Sequence, residues 1–144
     1  MKKITLLLLM LFSIGFLQAQ KIEFKNGLVY IYGKQCLKYD NSDPNNILIS
    51  TLDESQTIFL KYIRVEVCDK IVFYSKIIFV EPNKSFEAMA YNFTKRLLIQ
   101  KLLKNEVLGL SDCTFDFSKL DRFILRYEED ISKNIINTII IKNE

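Results

Sequence analysis

The chain has 144 residues, 49% of them hydrophobic, with 20 basic against 17 acidic side chains and a formal net charge of +3. Loss of Lys2 and Lys3 with a leader would bring the balance to 18 against 17, a net +1, far from the concentrated positive excess of a nucleic-acid-binding domain. The absence of histidine excludes imidazole acid–base chemistry, Ser-His-Asp and Cys-His arrangements, and His metal ligands.

The chain opens Met1-Lys2-Lys3, continues with an apolar run over 4–17, and then reads Gln18-Ala19-Gln20. Two lysines, a leucine-rich stretch and a small residue in that order are the pattern of a Sec-type signal peptide. The expectation is a leader over 1–19, cut after Ala19, and a single domain over 20–144. A fourteen-residue run is short of the roughly 20 needed to cross a bilayer, and no Cys follows it to carry a lipid. No later apolar run approaches membrane length, so no stable span is expected after cleavage. The location expected is the periplasm or the cell exterior.

The strongest local signal lies in 22–32. Asn26-Gly27 between two alternating segments suits a type I′ hairpin turn, whose two central residues need positive φ. That turn places Lys25 opposite Leu28, Phe24 opposite Val29 and Ile22 opposite Ile31. Gly33-Lys34 reads as the next tight turn, into a strand over 35–39. Residues 40–46 (Asp-Asn-Ser-Asp-Pro-Asn-Asn) read as a loop, 47–51 as a short strand, and Asp53-Glu54-Ser55 as a turn.

Residues 57–80 read as a long hairpin rich in β-branched and aromatic residues. A register with Val67 opposite Phe73 segregates the faces: Phe59, Ile63, Val65, Val67, Phe73, Ile77 and Phe79 on one side, Tyr62, Arg64, Glu66, Tyr74 and Lys76 on the other. It requires an odd-numbered loop near 69–71. Glu81-Pro82-Asn83 ends the strand. A helix is then expected over 85–108, capped by Ser85 or Asn83 and closed by Gly109, because Phe86, Met89, Ala90, Phe93, Leu97 and Leu98 recur at three and four. Ser118 to Asp121 resembles a capping box, and Leu120, Phe123, Ile124 and Tyr127 predict a second helix over 119–129. The tail from Ile135 to Ile141 is almost wholly β-branched and predicts a strand, used either within the domain's own sheet or for self-association or partner capture. The fold class expected is α+β: an antiparallel sheet of hairpins, five to seven strands, on two helices.

The segment 22–39 with its Asn-Gly and Tyr-Gly-Lys turns, the Phe-Thr-Lys-Arg-Leu-Leu-Ile-Gln-Lys-Leu-Leu stretch at 93–103, and Phe-Ile-Leu-Arg-Tyr at 123–127 resemble small secreted proteins of Bacteroidota. The resemblance implies a Gram-negative bacterial source. It assigns no activity and transfers no functional residue.

No G-x-S-x-G, P-loop or G-x-G-x-x-G occurs in the sequence. Carboxylates cluster at Asp112/Asp116 and at Glu128/Glu129/Asp130; they read as a solvated loop and an acidic helix end, with a carboxylate-based hydrolase as the alternative. Lys84, Lys95, Arg96, Lys101 and Lys104 against Glu87 and Glu106 would suit anionic lipid, but a solvated face opposite the core stripe explains them more simply. Asn92-Phe93-Thr94 matches a glycosylation sequon by chance. Cys36, Cys68 and Cys113 are an odd set: they allow one disulfide among three pairings, or stand as three small buried hydrophobes. Their spacings fit no zinc pattern. No catalytic, cofactor or metal residue is assigned. The expected function is an exported, non-catalytic binding domain; the alternatives are the hydrolase and a structural protein acting by sheet-edge pairing.

Overall fold

The computed structural model describes residues 22–67 and 69–140. The leader expected over 1–19 lies outside the described residues. The chain forms a seven-stranded antiparallel sheet in strict sequence order: β1 (Ile22–Lys25), β2 (Leu28–Ile31), β3 (Lys34–Asp43), β4 (Asn46–Thr51), β5 (Thr57–Val67), β6 (Lys70–Phe79) and β7 (Lys84–Met89). Among the described residues three α-helices follow, α1 (Lys95–Lys104), α2 (Leu120–Tyr127) and α3 (Ile131–Ile140). The α+β class is as the sequence leads one to expect.

The first hairpin keeps its expected register: Ile22 faces Ile31, Phe24 faces Val29 and Lys25 faces Leu28. Asn26 (φ 52°) and Gly27 (φ 75°) hold the two left-handed positions of the turn. The next turn falls one residue earlier than expected, on Tyr32 (φ 51°) and Gly33 (φ 81°), with Ile31 opposite Lys34. The expected loop 40–46 is mostly strand. Asp40 and Asp43 take the main-chain N–H of Ser42 and Asn45, each at 2.8 Å, so β3 runs to Asp43 and pairs with Asn46.

The β5–β6 register differs from the expected one. Val67 faces Lys70, not Phe73, and Lys61 faces Lys76. Asp69 adopts φ 60° in the short connection, a tight turn whose twist matches its strands. The change flips β5: Ile58 and Leu60 are buried with Ile77 and Phe79, whereas Phe59, Ile63 and Val65 sit on the opposite, partly exposed face and Phe73 is 52% exposed. Side-chain segregation misleads here because β5 is apolar on both faces.

The long helix expected over 85–108 is not formed. Asn83 (φ 50°) donates its N–H to the Val80 carbonyl at 3.0 Å. The chain thus reverses, and 84–89 becomes the last strand, with Phe86 and Ala88 inward and Met89 only partly buried. A 3₁₀ turn at Ala90–Asn92 leads to α1. Thr94 caps that helix by accepting from the Leu97 N–H at 3.2 Å, and Asn105 closes it in place of Gly109. A residue set recurring at 86, 89, 90 and 93 satisfies a helical period, yet 86 and 88 equally satisfy the strand period of two.

The second expected helix is α2, entered through a 3₁₀ turn (Phe117–Lys119) in which Asp116, not Ser118, supplies the capping oxygen. The tail expected as a strand is instead α3; Ile141 lies outside the described residues. Asp130 takes the Lys133 N–H at 3.0 Å, Ile131 is buried, and Asn134 and Ile135 share its face. A cap and a tertiary footing override the modest helix penalty of β-branched residues.

The helices lie on one face of the sheet. The core runs from Val29, Leu37, Ile49, Leu60 and Ile77 to Leu98, Ile99, Leu102, Leu120 and Phe123. Phe79 and Phe86 stack at 6.5 Å, and Phe123 meets both edge-on, at 6.3 and 5.8 Å. Replacing Phe79 by Ala should cost about 3–5 kcal/mol, the range for emptying a large core site. Phe73→Ala should stay within about 0.5 kcal/mol, as exposed substitutions do. Urea midpoints of the two variants measure the difference; equal losses would refute the exposed placement of Phe73.

Candidate interaction surface

The side chains most open to chemistry in the sequence turn out to be structural. A bulge between Val29 and Tyr30 of β2 sets Leu37 opposite Val29 but Gln35 opposite Tyr30, leaving Cys36 as the extra residue. Cys36 and Leu37 are therefore both buried, and Cys36 forms a disulfide with Cys113, 77 residues away. Gln56 clasps the same loop to the sheet: its amide nitrogen donates to the Phe115 carbonyl at 2.9 Å, and its amide oxygen accepts the Phe115 N–H at 2.7 Å.

The paired carboxylates do not converge on a reacting site. Asp112 accepts from the Thr114 hydroxyl at 2.8 Å, and Asp116 from the Ser118 hydroxyl at 2.6 Å and the Ser118 N–H at 3.0 Å. These bonds hold both carboxyls below their ordinary range, so they sit as turn-forming anions. Glu129 accepts from the Asn92 amide at 2.5 Å, its own N–H reaches the Glu87 carbonyl at 2.9 Å on the outer edge of β7, and Asp130 caps α3. Among the described residues no group of three His, Cys, Asp or Glu side chains is placed to hold a metal ion.

Four of the five basic residues of 84–104, all but Lys104, are likewise engaged. Arg96 donates to the Ile22 carbonyl at 2.5 Å, closing part of the β1 edge. Lys95 lies 4.7 Å from both the Phe24 and the Tyr39 ring. Lys101 donates to the Asn92 carbonyl at 2.6 Å over the Phe93 ring, and burial pushes its ammonium below the usual lysine range. Lys84 pairs with Asp121. A uniform cationic stripe is thereby broken up. No helix among the described residues is long and apolar enough to cross a membrane.

What remains unabsorbed is a finger. β4 ends its pairing with β5 at Asn46–Lys61, and β7 ends its pairing with β6 at Met89–Tyr74. Residues 63–67 and 70–73 therefore continue as a two-stranded ribbon beyond both neighbours. Ile71 is 50% exposed, Phe73 52% and, at the base, Tyr91 72%; with Met89 and Ala90 they border one shallow depression. The expected register buries Phe73; it keeps the side of Ile77 and Phe79 but is exposed because β4 and β7 stop short of it. Compared with known proteins, the chain matches no family model, no curated protein and no solved structure.

One turn has a measurable acid response. Asp53 accepts from the Thr51 hydroxyl at 2.6 Å, the Ser55 N–H at 3.1 Å and the Ser55 hydroxyl at 2.8 Å, which lowers its carboxyl from 3.8 to about 2. A carboxyl depressed on folding adds stability that is complete above the unfolded value and is lost as pH falls through the folded one. Asp53→Asn should thus lower the melting temperature at neutral pH and flatten its decline between pH 3.8 and about 2. Identical pH profiles of the two proteins would contradict the assignment.

Proposed function

We propose that this is an exported, non-catalytic binding domain whose contact element is the β5–β6 finger and whose partner is a protein surface. The observation that carries the reading is the finger itself. Ile71 and Phe73 on the ribbon and Tyr91 at its base form an exposed apolar group, and the base of the ribbon is flanked by β4 and β7. Clustered exposed aromatic and aliphatic side chains on a rigid support are what protein contacts draw on. The Cys36–Cys113 disulfide supports the exported part, because such bonds persist in oxidising compartments; the leader pattern of 1–19 supports it independently. The hydrolase alternative is weakened because Asp112, Asp116 and Glu129 already serve turns and amide contacts.

Export is tested by N-terminal sequencing of protein recovered outside the cytoplasm. The first residue should lie near Gln20; recovery of an intact Met1 would end the leader reading. The contact is tested with immobilised protein in an envelope extract. Wild type should retain a partner that the double variant Ile71→Ser/Phe73→Ser does not, with no loss of melting temperature in the variant. Equal retention by both would remove the finger from the proposal.

A further inference from the structure

The open edge of β5 has a sequence that matches itself. Tyr62 donates its N–H to the Asn45 carbonyl at 2.8 Å, and Val80 donates to the Thr57 carbonyl at 3.0 Å. Even-numbered residues of β5 thus turn their main chain toward β4 and odd-numbered ones toward β6. Past Asn45 no strand among the described residues lies on the β4 side, so the N–H and C=O groups of Arg64 and Glu66 face outward. The open stretch is Ile63-Arg64-Val65-Glu66-Val67.

We infer that a second copy of this chain pairs antiparallel with that edge, on a two-fold axis through Val65. In this register Arg64 lies opposite Glu66 of the second copy, and Glu66 opposite its Arg64. Both pairs exchange two main-chain hydrogen bonds, four in all. Ile63 meets Val67 and Val65 meets its own copy on the other face, next to Val72 and Tyr74 of β6. Arg64 and Glu66 already approach to 4.0 Å within one strand, so the dimer holds four alternating charges in a rectangle.

Neighbouring registers are disfavoured. A centre on Arg64 sets two guanidinium groups opposite each other, and a centre on Glu66 sets two carboxylates together, both destabilising across a strand pair. Registers of odd offset oppose an outward-facing main-chain group with an inward-facing one. Self-pairing of the other free edge, Lys70 to Phe73, centres on Val72 and sets Ile71 opposite Phe73, an apolar match with no charge complementarity to fix its register. A self-complementary patch like that of β5 is what a closed two-fold dimer requires.

The pairing rests on the finger being a contact element, but it uses the strand edge and not the Ile71/Phe73 group. Sedimentation equilibrium in a Cys68→Ser background, which removes thiol-linked dimers, provides the test. The protein should sediment at twice its monomer mass. Arg64→Glu and Glu66→Arg should each weaken association about tenfold or more, since each creates two like-charge pairs, and Arg64→Glu/Glu66→Arg should restore it. Circular dichroism verifies that the single variants stay folded, and the recovery in the double variant identifies the pairing even where they do not. A monomer at roughly 1 mM, single variants as tightly paired as wild type, or a double variant without recovery would each overturn the inference. Ile71→Ser/Phe73→Ser should still dimerise. Loss of partner capture without loss of the dimer, or the reverse, then shows which of the two readings has failed.

Discussion

The packing of Phe79 against Phe86, with Phe123 edge-on to both, is the contact on which the rest of the structure depends. It joins β6, β7 and α2, and Phe93 extends it to the start of α1 through Phe86 at 5.3 Å. An aromatic cluster of this size removes far more apolar surface from water than any pair of aliphatics at the same positions. It requires Phe79 to face the helices, and in a strand that choice commits every second residue. Ile77 goes inward with it, and so do Ile58 and Leu60 across the ladder. The side chains between them are committed to the opposite face, whatever their polarity.

That commitment explains why some of the molecule was legible in the sequence and some was not. The first hairpin was readable because its turn chemistry and its alternation agree: Asn26-Gly27 fixes the register that buries Ile22, Val29 and Ile31. In β5 the two signals conflict. Phe59, Ile63 and Val65 are as apolar as Ile58 and Leu60, so segregation of side chains cannot choose a register, and the short turn at Asp69 decides it. Residues 84–93 carry both periods at once, and the reversal at Asn83 selects the strand. In the tail a run of isoleucines suggested a strand, but a cap at Asp130 and the burial of Ile131 outweigh intrinsic preference. The disulfide partners could not be chosen from spacing, because the bulge that turns Cys36 inward leaves no mark in the composition.

The candidate surface was legible only as a list of residues. Arg64, Glu66, Ile71 and Phe73 are all visible in the sequence, yet their exposure follows from strand lengths: β5 and β6 continue where β4 and β7 have stopped. The carboxylates and lysines that drew attention as chemistry serve instead as caps, turn anchors and edge covers. Arg96 on β1 and Glu129 on β7 engage main-chain carbonyls at the two outermost strands of the sheet, a common way of blunting an exposed edge. Among the described residues the finger's edge carries no comparable cover.

The order of the strands also bears on how the disulfide forms. In a meander each strand pairs with its neighbour in sequence, so contacts are local and can be made as the chain emerges. The bond between Cys36 and Cys113 is not local; it spans 77 residues. Cys36 and Cys68 are both synthesised before Cys113, and an early oxidant would meet that pair first. Pairing of β3 with β4 holds Cys36 buried on the inner face of β3, with β4 between it and β5. The native bond of Cys36 thus waits on the last third of the chain, which carries Cys113.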